Sequence, residues 1–134
     1  APTLLIRREA LEKVGGFDPD IRLEDLLIEL KITHAGYFID GLSVLMARYR
    51  KHATNSYKNH RFMIDNILRS YALFSDHPRY EEVRYKFLNS MFLKTSNRDR
   101  PLARELLAQL PFKAWTGKTW RALGRLYFSR LEKN

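Results

Sequence analysis

Five carboxylates near the start of the chain are the first side chains that could do chemistry. They lie within twelve positions and are Asp18, Asp20, Glu24, Asp25 and Glu29. A carboxylate placed against an alcohol can accept its proton, so the cluster could supply a general base for group transfer to a hydroxyl. The same residues need no such role, because acidic side chains at the start of a helix interact favourably with its dipole. The spacing leaves both interpretations open.

The C-terminal segment combines cations with aromatic rings. Residues 113–134 contain six basic side chains, one acidic side chain and four aromatic ones. A helix of this composition suits an anionic membrane surface, where aromatic rings lie at the level of the headgroups. The residues expected to face the membrane are Trp120, Arg121, Arg125 and Tyr127. The alternative is that the two aromatic residues pack on other helices while the basic face is solvated.

The charge is distributed unevenly along the chain. Residues 1–50 contain seven basic and eight acidic side chains, for a net charge of −1. Residues 51–134 contain the remaining 17 basic and 7 acidic side chains, for +10, and the two parts sum to +9. This asymmetry indicates an anionic partner for the second part: phospholipid, nucleic acid or a phosphorylated substrate.

Several kinds of site are excluded by what the sequence lacks. The chain contains no cysteine, which excludes a disulfide framework, a thiolate zinc site and a cysteine nucleophile. The four histidines do not have metal-binding helical spacing with a third ligand. The sequence has neither a glycine-rich phosphate loop nor a Gly-x-Ser-x-Gly nucleophile turn. No apolar run reaches the roughly 18 residues that a membrane-spanning helix needs.

The first part of the chain predicts a small α/β arrangement. Thr3–Ile6 is an apolar run that could form a buried strand, and apolar periodicity predicts helices over 8–14 and 23–33. Glycines follow both predicted helices, as expected of C-terminal caps. Two extended segments, 37–39 and 42–49, flank an Asp-Gly turn pair and predict a short strand pair.

The rest of the chain has helical periodicity. It predicts one helix from Asn59 to near Pro78, one from Tyr80, one from Asp99-Arg100-Pro101 to Pro111, and one over about 116–131. The last predicted helix carries Trp120, Leu123, Tyr127 and Leu131 on one side. The expected fold is therefore mainly α (α+β): a small α/β fragment with a short strand pair, followed by about four helices.

Five short motifs follow one another in the first part. In chain order they are Arg-Arg-Glu-Ala-Leu-Glu-Lys-Val-Gly-Gly-Phe-Asp at 7–18, Glu24-Asp25, Ala35-Gly36-Tyr37, Tyr49-Arg50-Lys51-His52, and Asn55 with Ser56. This ordered set resembles the acceptor-binding half of family 2 nucleotide-sugar glycosyltransferases, which have the GT-A fold. The resemblance covers about residues 1–57. The chain begins with Ala1 rather than Met, which leads us to expect a piece of a longer polypeptide.

The resemblance implies a role for four residues. In the family, the Asp of the Glu-Asp pair is the base that deprotonates the acceptor hydroxyl, which here would be Asp25. Glu24 would help to set its charge and orientation. A His after the Tyr-Arg pair contacts the metal or the nucleotide diphosphate in some members, which here would be His52, and Arg50 would lie near the same phosphates. The implied reaction is an inverting sugar transfer from a nucleotide-sugar donor to a polysaccharide or lipid-linked acceptor.

The sequence departs from the family pattern at three points. Leu27 stands where an acidic residue is common, and Lys31 stands where an Arg is common. The metal-binding Asp-x-Asp motif is missing, because Asp18-Pro19-Asp20 follows Gly-Gly-Phe rather than a strand. We therefore expect residues 1–57 to be the acceptor-side half of a GT-A-like catalytic domain and residues 58–134 to be a basic helical extension. This chain alone would be inactive and bind no metal, whereas the complete enzyme would use Mg²⁺ or Mn²⁺.

The expected partners are a nucleotide sugar, a glycan acceptor and an anionic membrane surface. The expected location is cytoplasmic, with peripheral attachment to the inner face of the plasma membrane left open. The alternative function is a basic helical module that binds nucleic acid or membrane without catalysis. Nucleic acid is disfavoured because no recognised binding motif occurs and the Gly-Gly-Phe-Asp and Glu-Asp motifs would then have no explanation. A helical protein-interaction scaffold is a third alternative.

Overall fold

The chain divides into two compact units, Ala1–Ser70 and Tyr71–Asn134. A computed structural model describes residues 3–50 and 55–128. Helices account for 60% of these described residues, in six α-helices, so the protein is mainly α, as predicted. None of the described helices is both long and apolar enough to cross a membrane.

The first unit contains α1 (Arg8–Lys13), α2 (Glu24–His34) and nearly all of α3 (His60–Ala72). The helix α1 ends at a glycine pair, Gly15 and Gly16, whose φ angles are 72° and 67°. Only glycine adopts this left-handed region without a steric cost, so the pair ends α1 and reverses the chain towards α2.

A buried asparagine joins α3 to the segment that precedes α2. The backbone N–H of Arg22 donates a hydrogen bond to Oδ1 of Asn66, at 2.9 Å. The Asn66 side-chain amide also donates to the backbone carbonyl of Phe62, and the backbone carbonyl of Asn66 accepts from Oγ of Ser70. A buried amide is stable only when its polar groups are paired, so these bonds determine where α2 begins relative to α3.

The second unit is built from α4 (Tyr80–Thr95), α5 (Arg100–Ala108) and α6 (Gly117–Phe128). Helix α4 packs on both α5 and α6. The buried apolar core of this unit consists of Leu88, Met91, Phe92, Leu102, Ala103, Leu106, Leu110, Ala122 and Leu126. Asp99 caps α5 by accepting a hydrogen bond from the N–H of Leu102, at 3.0 Å, and Pro101 lies in the first turn. The predicted start signal is thus confirmed.

A second polar link, between the half-buried Asn89 and the buried Thr119, joins α6 to α4. The Thr119 hydroxyl donates to Oδ1 of Asn89 at 2.6 Å, and the Asn89 amide donates to the carbonyl of Ala114 at 2.9 Å. The Thr119 hydroxyl also accepts from the N–H of Thr116 at the start of α6. Thr119 lies on the buried side of α6.

The predicted strand pair is wrong. Within residues 3–50 and 55–128 no residue lies in a β-strand, whether over Thr3–Ile6, 37–39 or 42–49. A two-stranded hairpin is marginal in water unless further strands or a helix cover its apolar face. Here Phe38 and Leu45 are 99% and 89% exposed, so the segment lacks the cover that would favour pairing.

Gly124 lies inside α6, and a Cβ built there would meet no atom within 4 Å. We expect Gly124→Ala to raise the free energy of unfolding by about 0.5–1 kcal/mol, because glycine inside a helix loses more backbone entropy on folding than alanine. Urea unfolding measures the change. Gly15→Ala is the matched control and should destabilise, since Gly15 has a positive φ. A loss of stability in Gly124→Ala would contradict the assignment.

An exposed charge triad marks the first turns of α4. Glu82 is paired with Arg79, at 3.1 Å, and with Lys86. Hydrogen bonds from Arg79 and then Lys86 are the main causes that lower the pKa of Glu82 to about 2. A carboxylate with a lowered folded-state pKa stabilises the fold above its ordinary value of about 4.5, and this contribution is lost as pH falls towards 2.

We therefore expect the difference in Tm between the unmodified chain and Glu82→Gln to shrink steadily between pH 4.5 and pH 2. Because the triad is exposed, added salt should also reduce the difference. Carboxyl-carbon NMR titration of Glu82 tests the cause directly. A titration midpoint of Glu82 near pH 4.5 would show that Arg79 and Lys86 do not lower its pKa.

Candidate functional site

Two contacts of basic side chains join the region around the glycine pair Gly15–Gly16, which we call the glycine turn, to the C-terminal part of α2 and the residues after it. Nζ of Lys31, on α2, donates a hydrogen bond to the carbonyl of Gly16 at 2.9 Å. The Lys13 ammonium at the end of α1 lies over the ring of Tyr37, 5.2 Å from its centroid, which is a cation–π contact. Helices α1 and α2 pack on each other. The Gly-Gly-Phe-Asp and Ala-Gly-Tyr motifs, which are separate in sequence, therefore belong to one substructure with α2 between them.

Lys31 links α2 to the glycine pair Gly15–Gly16 through one hydrogen bond. A guanidinium could make a bidentate contact at this position, whereas the ammonium of Lys31 makes a single directed bond to the Gly16 carbonyl.

Asp25 lies in the first turn of α2 and is half-buried. Its Oδ1 accepts a hydrogen bond from the N–H of Leu26 at 2.8 Å, which orients the carboxylate at the helix N-terminus. Glu24 precedes it and is exposed. Both residues are in the helix turn where the dipole favours negative charge.

The other three acidic residues of the cluster lie in two places: two before α2 and one within it. Oδ1 of Asp18 accepts the N–H of Asp20 at 2.8 Å and so forms the turn that leads to α2. Asp20 is exposed, and Glu29 is half-buried within α2. Asp18 and Asp20 thus belong to the connection between α1 and α2.

Arg50 is exposed at the end of the extended segment that follows α2. The side-chain amide of Asn55 donates to the carbonyl of Arg50 at 3.4 Å and to the Tyr49 hydroxyl at 3.2 Å. The Tyr-Arg and Asn motifs are therefore joined locally. His52 lies outside the described residues.

Metal binding was implied by the resemblance and can be compared with the donors present. In residues 3–50 and 55–128, no three His, Asp or Glu side chains are grouped so that they could hold a metal ion.

The residues predicted to face a membrane lie on the outer part of α6. Trp120 and Tyr127 are 52% and 55% exposed, and Arg121 and Arg125 are exposed. The buried residues of α6 are Thr119, Ala122 and Leu126. The sequence left open whether Trp120 and Tyr127 pack on other helices. Both are exposed, and the buried side of α6 includes Thr119, whose hydroxyl bonds to Asn89.

Two asparagines, the buried Asn66 and the half-buried Asn89, were not predicted from the sequence. Each lies in a helix with an otherwise apolar stripe and bonds to a segment distant in sequence. An asparagine inside a strongly apolar helical stripe is the signal that could have identified them. No family model, curated protein or solved structure matches the chain.

Proposed function

We propose that this chain is the acceptor-side part of a family 2 nucleotide-sugar glycosyltransferase. The observation that carries the proposal is the joining of two of the family-like motifs, Gly-Gly-Phe-Asp and Ala-Gly-Tyr, into one substructure by the Lys31–Gly16 bond and the Lys13–Tyr37 contact. The proposed location is the cytoplasm.

The exposed apolar segment that follows α2 supports the same proposal. Residues 38–46 carry six apolar side chains, and all of them are large and exposed: Phe38, Ile39, Leu42, Val44, Leu45 and Met46. An extended apolar segment of this kind is stabilised when it joins a sheet. We propose that it pairs with strands of the nucleotide-binding half, which this chain does not contain.

The proposed reaction is a single displacement. The Asp25 carboxylate accepts the proton of an acceptor hydroxyl as the acceptor oxygen forms a bond to the anomeric carbon of the sugar. The bond between that carbon and the diphosphate oxygen breaks, and the nucleoside diphosphate leaves with the electron pair. The Arg50 guanidinium would stabilise the charge on the departing diphosphate. Attack from the face opposite the leaving group inverts the anomeric configuration.

The coding sequence immediately upstream of codon 1 tests the proposal. We expect it to encode alternating strands and helices, with an Asp-x-Asp motif at the end of one strand. A stop codon in frame, or an upstream region without strands, would overturn the assignment. The product that includes the upstream region should then transfer sugar, whereas the 134-residue chain alone should not.

A further inference from the structure

A surface of the second unit combines exposed rings with cations, and it is independent of the proposed catalytic site. We call it the aromatic–basic face. Its members lie on α6 and on the short turn before it, and they are Phe112, Lys118, Trp120, Arg121, Arg125 and Tyr127. Phe112 is 72% exposed, although such a ring is usually covered in a folded protein.

The rings of this face are held in place by one another. The ring centroids of Phe112 and Trp115 are 5.2 Å apart, and those of Trp115 and Trp120 are 5.0 Å apart. Phe112 and Trp120 meet edge to face at 6.0 Å. The Trp115 indole N–H donates to the carbonyl of Leu110 at 3.2 Å, which fixes the central ring. The cluster is therefore ordered before any partner binds, which lowers the entropic cost of binding.

Helix geometry places the cations beside the rings. Trp120 and Tyr127 are seven residues apart and share one edge of the outer surface of α6. Arg121 and Arg125 are four residues apart and share the other edge. The segment 111–128 contains four basic residues and no acidic one, so its charge is uniformly positive.

We propose that the aromatic–basic face binds the surface of a lipid bilayer that contains anionic headgroups. Its positive charge complements the headgroups, while Trp120 and Tyr127 present rings with a polar edge, which suit the boundary between headgroups and acyl chains. Phe112 supplies the apolar contact that electrostatic attraction alone lacks.

Single-stranded nucleic acid fits this face less well. Bases bind protein by stacking on exposed ring faces. Here edge-to-face packing among Phe112, Trp115 and Trp120 takes up ring faces, and the guanidinium of Arg104 lies 6.0 Å from the ring centroid of Tyr127. The rings form an apolar wedge rather than a row of stacking platforms.

The two tryptophans of the chain are both in this cluster, so fluorescence reports directly on it. The 134-residue chain is titrated with vesicles of phosphatidylcholine alone, with vesicles containing one part phosphatidylserine to three of phosphatidylcholine, and with a uridine oligonucleotide. We expect saturable binding to the anionic vesicles, a blue shift of the tryptophan emission, and quenching by phospholipids brominated on the acyl chains. Raising the salt concentration should weaken binding.

Two variants assign the binding to the face. Arg121→Gln/Arg125→Gln should weaken vesicle binding by about fivefold for each cation removed. Arg61→Gln/Arg69→Gln is the matched control, with the same loss of charge on α3 of the other unit, and should change binding by no more than about twofold. Circular dichroism of each variant should show unchanged helix content.

Four results would each overturn the proposal. They are tighter binding to the oligonucleotide than to anionic vesicles, no binding to anionic vesicles, equal losses in the two arginine pairs, and an absence of quenching by brominated lipid in the unmodified chain. The quenching measurement needs no substitution, so it decides the question even if a variant does not fold. Because these readouts involve no sugar transfer, they stand apart from the proposed glycosyltransferase function.

Discussion

In the complete enzyme, Asp25→Asn is expected to lower the rate of sugar transfer by about 10²- to 10⁴-fold, the range by which a positioned general base accelerates a reaction. An amide cannot accept the proton of the acceptor hydroxyl, so the attacking oxygen would remain a weak nucleophile. The fold should survive, because the Oδ1 of an asparagine can accept the same hydrogen bond from the Leu26 N–H.

Asp65→Asn is the matched control for this experiment. Asp65 is an exposed carboxylate on α3 in the same unit, and its substitution makes the same chemical change. The rate of transfer should be unchanged in Asp65→Asn, and the KM for the donor should change little in Asp25→Asn. Full activity of Asp25→Asn would remove Asp25 as the base, whereas equal losses in both variants would indicate a general effect of charge.

The largest expected effect on stability is that of Phe92→Ala. Phe92 on α4 is completely buried in the core of the second unit, with 0% exposure. Truncating a buried phenylalanine removes its transfer free energy and leaves a cavity, at a cost of about 3–5 kcal/mol. This loss is a large fraction of the total stability of a small domain. Urea unfolding followed by tryptophan emission measures it, because both tryptophans belong to the same unit.

Phe38→Ala makes the same change at the other extreme of burial. Its ring is 99% exposed, so the free energy of unfolding should change by no more than about 0.5 kcal/mol. Similar losses in the free energy of unfolding for Phe92→Ala and Phe38→Ala would show that the described core does not determine stability.

The helices could be predicted because their signals are local. Apolar periodicity, the Asp99-Arg100-Pro101 start and the glycines after α1 and α2 depend on neighbours within a few residues, and the helices α1 to α6 lie where these signals indicated. The acidic start of α2 was visible for the same reason.

Other features depend on partners distant in sequence. The extended segment over 42–49 has strand-forming residues, but pairing requires a sheet to join, and the residues alone do not specify one. The buried side of α6 includes Thr119, whose partner Asn89 lies 30 residues away in the sequence. The contact between Lys31 and Gly16 likewise could be seen only in the folded chain, although the sequence had drawn attention to both residues.

Sugar transfer by the complete polypeptide is the most direct test of the central claim. The polypeptide is incubated with a panel of radiolabelled nucleotide sugars and with membranes from the source organism as the supply of acceptor. The account predicts that at least one donor labels a glycan or lipid-linked product and releases its nucleoside diphosphate, and that Asp25→Asn loses both. Failure of every donor to label a product with the folded polypeptide would contradict it.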